Sequence, residues 1–178
     1  IYDHVKAEKP RSCAVIGAGF IGLEMAENLA EQGIHVSVVE GASHVMPPID
    51  MDMAHQVHNY IRSKGIRLYL GQICTAMDED GVILKNGDKV QADMVILSIG
   101  VRPDTDFLKN SGIALGTRGE ILVNNYMETS QPDVYALGDA VSVRHVVSGE
   151  AVLIPLASPA NKQGRIVGDN LCGRKRRY

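Results

Sequence analysis

The amino-acid sequence predicts an α/β fold: a parallel sheet with helices packed on it, interrupted by an antiparallel β-meander. Three observations carry that prediction. A strand, a glycine turn, a helix and a second strand follow one another between Ser12 and Glu40. From Gln72 to Gln91 the pattern changes to short β-prone pieces separated by DEDG and KNGD. The apolar run MVILSIG, Met94 to Gly100, then reads as another parallel strand, buried on both faces.

The elements follow in order. SCAVI, Ser12 to Ile16, is a short apolar strand. After GAGFIG, Leu23, Ala26, Leu29 and Ala30 recur at helical spacing, and Gly33 suits a C-cap. HVSVVE, His35 to Glu40, is the second strand, so this is a βαβ unit whose strands run parallel through a right-handed crossover. Pro47 and Pro48 break the chain, Asp50 can cap a helix running to about Lys64, and Gly65 stops it. Ile66 to Leu70 is the third strand, and the Asp/Asn-Gly turns that follow favour hairpins. Beyond Gly100, VRPDTDFLKNSGI reads as a turn and short helix, and ILVNNYMETSQPDVYAL as two short strands. The stretch PLASPANKQGRIVGDNLCG reads as a helix opening after Pro155 or Pro159.

Composition excludes several function classes. An apolar content of 45% over 178 residues is enough to build a core. The net charge of −3 leaves no electrostatic footprint for nucleic acid. No apolar run approaches the roughly 20 residues that cross a bilayer, and the N-terminal stretch has no secretory pattern. A soluble, cytoplasmic protein without nucleic-acid or membrane partners is expected. Cys13, Cys74 and Cys172 form no metal-ligand spacing and read as reduced thiols, none of them a nucleophile. The six histidines include no metal-like set; His55 and His58 share a helix face, which reads as solvated. No metal site is expected. The missing initiator Met and the basic ending GRKRRY suggest a piece of a longer chain.

The chemistry lies in GAGFIGLE, Gly17 to Glu24. Gly17 permits a tight turn out of the strand, Gly19 lets backbone approach a pyrophosphate, and Gly22 allows helix to pack closely on strand. The phosphates then meet the N-terminal end of a helix, where unpaired N–H groups and the helix dipole favour negative charge. The flanking strand, the following helix and an acidic residue closing the next strand make this a Rossmann-like fingerprint rather than a chance glycine turn. Glu40 is that acid. Its carboxylate can accept both ribose hydroxyls of adenosine and would repel a 2′-phosphate, so NAD(H) is preferred to NADP(H). The neighbouring Gly41, Ala42 and Ser43 supply no arginine for such a phosphate.

GAGFIGLEMAENL followed by HVSVVE, then SIGVRPDT and TSQPDVYALGD, in this order and spacing, resembles the flavin-dependent pyridine nucleotide-disulfide oxidoreductases. Within them PLASPANKQGR resembles the NADH oxidase, NADH peroxidase and coenzyme A-disulfide reductase branch. The resemblance implies an FAD/NAD(P)-binding fold in which residues 1–8 are a linker, 9–123 an NAD-binding domain, and 124–178 the returning, incomplete part of an FAD-binding domain. It implies NAD(H) and FAD as cofactors, and hydride passing from NADH to FAD and on to a disulfide, peroxide or oxygen. A small-molecule redox substrate and a homodimeric full-length protein are further implications.

Residue by residue, the resemblance places Phe20 at a bulky position that can lie over the flavin, with helix-start packing as the plainer reading. Ile21 belongs to the same fingerprint. Glu24 matches an acidic position near the nicotinamide, although an acid in a first helical turn is also good dipole chemistry. Ile99, Gly100 and Val101 correspond to a loop facing the nicotinamide ribose. In DVYALGDA, Gly138 and Asp139 correspond to the second FAD element, and Ala157, with Ser158, to backbone beside the isoalloxazine. The first FAD fingerprint and the redox cysteine of the family do not occur in these residues, so the chain by itself is expected to bind without turnover. Two other readings fit the same motifs less fully: a ferredoxin- or rubredoxin-reductase-like flavoprotein, and a non-catalytic NAD-sensing module.

Overall fold

The computed structural model describes all residues, 1–178. They form two compact units, Ile1–Gly100 and Val101–Tyr178.

The first unit opens with a short helix α1 (Tyr2–Glu8), in the stretch read as a linker, and continues β1 (Ser12–Ile16), α2 (Phe20–Glu31), β2 (His35–Glu40), α3 (Met51–Ser63) and β3 (Arg67–Leu70). The meander β4 (Cys74–Asp78), β5 (Gly81–Leu84) and β6 (Lys89–Gln91) follows, and β7 (Met94–Leu97) returns to the parallel sheet. Strand order is β3-β2-β1-β7, all parallel, and the meander is a separate antiparallel sheet in the order β4-β5-β6. The expected fold class is thus borne out.

Period-two alternation along the two central strands builds two cores, one on each face of the sheet. Cys13 and Val15 of β1 and Val36 and Val38 of β2 face α2 and α3, whose Ala26, Leu29 and Ile61 fill that side. Ala14, Ile16 and Val39 point the other way, against Val82, Leu84 and Val90 of the meander. Each fully buried aliphatic side chain contributes about 1.5–3 kcal/mol relative to exposure. The meander therefore replaces the second helix layer of a doubly wound sheet. At the amino ends of the strands, the Asp93 carboxylate accepts the N–H groups of Arg11 and Ser12 at 2.8 and 2.9 Å, and these bonds hold its carboxyl below the usual range.

Three sequence expectations need correction. MVILSIG is not buried throughout: β7 ends at Leu97 and pairs only with β1, so it is an edge strand, and Leu97 and Ile99 are 59% and 75% exposed. His58 does not sit on a solvated face. It is buried, and its Nε2 accepts the Val45 N–H at 3.1 Å, because α3 turns that face toward the loop after β2. In the second unit, ILVNNYMETSQPDVYAL yields β8 (Ile121–Leu122), whose Ile121 also bridges Leu115, and an isolated bridge between Glu128 and Tyr135 in place of a second strand. Asn124 Oδ1 accepts the N–H groups of Tyr126 and Glu128, closing a turn that interrupts the strand.

The rest of the second unit is a hairpin, β9 (Val141–Arg144) and β10 (Ala151–Leu153), and a helix α4 (Ala157–Leu171). A single helical turn, Asp106–Leu108, stands where the short helix was expected. β8 pairs parallel to β9. Met127, Val141, Val143 and Val167 form the core.

Candidate functional site

The site of the first unit is made at the carboxyl ends of β1, β2 and β7, where a four-stranded parallel sheet places its loops. β1 ends at Ile16, and Gly17 turns the chain with φ +101°, a region other residues avoid. A Cβ at Gly17 would lie 2.8 Å from the Ser98 carbonyl carbon and closer still to its oxygen. A Cβ at Gly22 would meet the Gly17 carbonyl and would stand 2.6 Å from Ser98 Oγ. Gly19 differs from both. Its backbone is extended, and a Cβ there would meet nothing within 4 Å. Two of the glycines are therefore required by the packing of the protein on itself, and the remaining one leaves open space.

Gly19 is also the N-cap of α2, and no side chain caps that end. The first-turn N–H groups have no intrahelical acceptor, which leaves them for an anionic ligand. Around this end lies a cavity of about 630 Å³ lined by Gly17, Gly19, Glu40, Gly41, Ile99 and Gly100, among others. That size lies in the range of ligand-binding clefts. Ile73, Met77, Leu97 and Ile99, all exposed, give it an apolar wall.

Glu40 is more deeply engaged than its sequence position suggests. Its Oε2 accepts the Ala18 N–H at 2.7 Å, and its Oε1 accepts the Ala42 N–H at 2.7 Å. The carboxylate thus ties the glycine turn to the loop after β2, and Met46 N–H, bonded to Ala18 O at 2.8 Å, adds a second tie. Each carboxylate oxygen accepts two hydrogen bonds in its plane, so each keeps one lone pair for a further donor. The arrangement fits two vicinal hydroxyls.

Not every predicted residue enters this cavity. Phe20 and Glu24 line a smaller cavity of about 200 Å³ between α2 and α3, with Leu23, Met46 and Val57. Ile21 is exposed on the first turn of α2, and Gly22 is buried. Val101 and Asp139 belong to the second unit, where they line a cavity of about 400 Å³ with Arg102, Arg118 and Pro155. Gly138, at φ +91°, has open space where a Cβ would stand, and its N–H donates to Oε1 of the buried Gln163 at 2.7 Å. Asp139 is exposed, and Ala157 and Ser158 form the exposed first turn of α4.

Two contributors were not anticipated from the sequence. Ser98 bonds the end of β1, and its only signal is a small polar residue interrupting an apolar run before a glycine. Gln163 orients the DVYALGDA loop from α4, and an amide within a helix carries no local sign of that task.

The profile of the pyridine nucleotide-disulphide oxidoreductase family matches residues 3–164. The chain belongs to this family. As a member of the pyridine nucleotide-disulphide oxidoreductases it is 37% identical over 177 residues to an NADH oxidase of Methanocaldococcus jannaschii, covering 97% of this chain and 39% of that protein. The crystal structure of reduced CoADR-RHD of Bacillus anthracis superposes with a TM-score of 0.94 at 46% identity, covering 99% of this chain and 32% of that one. A water-forming NADH oxidase from Lactobacillus brevis, bound to NADH, superposes with a TM-score of 0.87 at 32% identity, covering 99% of this chain and 40% of that one. The chain thus spans about 40% of the length of the curated relative it matches.

Proposed function

We propose that the first unit binds NAD(H) across the carboxyl ends of β1, β2 and β7. We further propose that the whole protein passes hydride from NADH to FAD and on to a disulfide, peroxide or oxygen. The observation that carries the reading is the contrast among the glycines: Gly17 and Gly22 are filled around, whereas Gly19 opens onto a cavity that also contains the Glu40 carboxylate. In this reading the pyrophosphate lies against Gly19 and the first-turn N–H groups of α2. Glu40 accepts the adenosine ribose hydroxyls, Gly41 lets that ribose approach, and Ile99 and Gly100 border the nicotinamide end. A 2′-phosphate beside Glu40 would cost about 1–4 kcal/mol for unit charges about 4 Å apart, depending on exposure. NADH is therefore preferred to NADPH.

In the second unit, Gly138 and Asp139 fit one part of an FAD site: open backbone at the glycine and an exposed carboxylate able to accept a ribityl hydroxyl. The flavin, when bound, supplies the hydride-accepting chemistry, and the chain supplies binding and orientation. Within the first unit, Phe20 and Glu24, which line the cavity between α2 and α3, are further proposed cofactor contacts; within the second unit, Val101, Ala157 and Ser158 are. The division into NAD-binding 9–123 and FAD-binding 124–178 segments belongs to the same proposal, as do a homodimeric full-length protein, a cytoplasmic location and a small-molecule acceptor. No helix is long and apolar enough to cross a membrane.

Calorimetric titration with NADH and NADPH tests the first step, with Glu40→Ala as control. Expected is NADH binding that is about tenfold or more tighter than NADPH binding and is weakened by the substitution. Absence of NADH binding would refute the cavity assignment. For the whole protein, flavin absorbance bleached by NADH is expected, and a colourless protein would refute the flavin half.

A further inference from the structure

Ser98 stands outside the glycine fingerprint, one residue past β7, yet it is hydrogen-bonded both to the end of β1 and to the first glycine of the fingerprint. Its N–H donates to Ile16 O at 2.8 Å. Its Oγ lies 2.9 Å from Ile16 O and 3.0 Å from Gly17 O, so one hydroxyl proton is shared by the last carbonyl of β1 and the first carbonyl of the turn. The hydroxyl occupies the space that the third glycine leaves, since a Cβ at Gly22 would stand 2.6 Å from it. From the opposite side, Glu40 holds the Ala18 N–H. Residues 16–18 are thus fixed from β7 through their carbonyls and from β2 through an N–H.

A turn that receives an anion must present N–H groups and turn its carbonyl oxygens away, because the oxygen is the negative end of the peptide dipole. We propose that Ser98 is a positioning residue of the dinucleotide site: its hydroxyl holds the Gly17 carbonyl inward, so that the backbone at Gly19 and the start of α2 meets the pyrophosphate with donors only. The inference rests on the NAD(H) reading above. Ser98 itself acts through Gly17, and the pyrophosphate is the part of the ligand whose binding it governs.

The test is calorimetric titration of the wild-type chain, Ser98→Ala and Ser98→Thr with NADH and, separately, with ADP-ribose, which carries the pyrophosphate and both riboses but no nicotinamide. Thermal melting of each protein accompanies the titrations. Loss of the hydroxyl leaves Gly17 O without its donor, and Ser98→Ala is expected to weaken both ligands by the same factor, about tenfold. Ser98→Thr, which keeps the hydroxyl, is expected to bind within about threefold of wild type and to melt near it, whereas Ser98→Ala, which leaves Gly17 O without its donor, is expected to melt lower but to be folded at the titration temperature. Equal affinity of wild type and Ser98→Ala would overturn the inference, as would a loss confined to NADH, or a threonine variant as weak as alanine. A wild-type chain that binds neither ligand would refute the NAD(H) reading itself, and this inference with it. Binding by wild type with no effect of Ser98→Ala would refute this inference alone.

Discussion

Adding one methyl group to Gly17 and one to Gly19 should damage the protein in opposite ways. At Gly17 the backbone stands at φ +101°, and a Cβ would press on the carbonyl of Ser98, a residue held through its own N–H and hydroxyl, both bonded to Ile16 O. The left-handed conformation costs about 1–2 kcal/mol for an L-residue and overpacking about 1–3 kcal/mol, so Gly17→Ala should lose about 2–5 kcal/mol. For a unit of about 100 residues this lowers the melting temperature by at least about 8 °C. At Gly19 the backbone is extended and the space is open, so Gly19→Ala changes only the cap of α2 and should cost about 1 kcal/mol or less. Its methyl group projects into the space assigned to the pyrophosphate, and NADH binding should be lost. Urea denaturation followed by circular dichroism measures the first effect, and calorimetry on the folded variants the second. A Gly17→Ala protein that melts with wild type, or a Gly19→Ala protein that binds NADH undiminished, would refute this division of labour.

Other outcomes follow from single contacts. Burial, followed by the charges of Arg62, His55 and His44, holds the His58 imidazole below its ordinary range. The unfolded chain therefore takes up the proton first on acidification, and stability present above about pH 6.5 falls as the pH drops through that value. His58→Gln still offers an acceptor to Val45 N–H but does not titrate, so its urea midpoint should vary less between pH 7 and pH 5; parallel pH profiles would contradict this. Burial pushes the Cys13 thiol up to about 11, and Cys172 is exposed. Under native conditions at pH 8 a thiol reagent should label Cys172 first and Cys13 only after unfolding, as read by peptide mass spectrometry. Gln163→Leu leaves the Gly138 N–H without its acceptor and should destabilise the second unit by about 1–3 kcal/mol, seen as earlier loss of amide protection around Gly138.

Much of the parallel sheet was legible in the sequence because its signals are local. The alternation in SCAVI and HVSVVE, the spacing in α2 and the glycines at 17, 19 and 22 each act within a few residues, and βαβ chirality fixes how two strands joined by a helix pair. The acid at the end of β2 was legible for the same reason. What the sequence could not supply was which apolar run lies at an edge. MVIL has the composition of a central strand, but it pairs with β1 alone and no further strand joins the sheet beyond it, and the apolar side chains of Leu97 and Ile99 line the cavity instead. Tertiary structure alone decided that the Glu40 carboxylate is held by Ala18 and Ala42, that Ser98 reaches Gly17, that His58 is buried against Val45, and that Gln163 holds the loop before Asp139. Each is a hydrogen bond between segments distant in the chain or across a turn. Such partners are selected by distance in the folded state, and a residue's type states only that it can donate or accept.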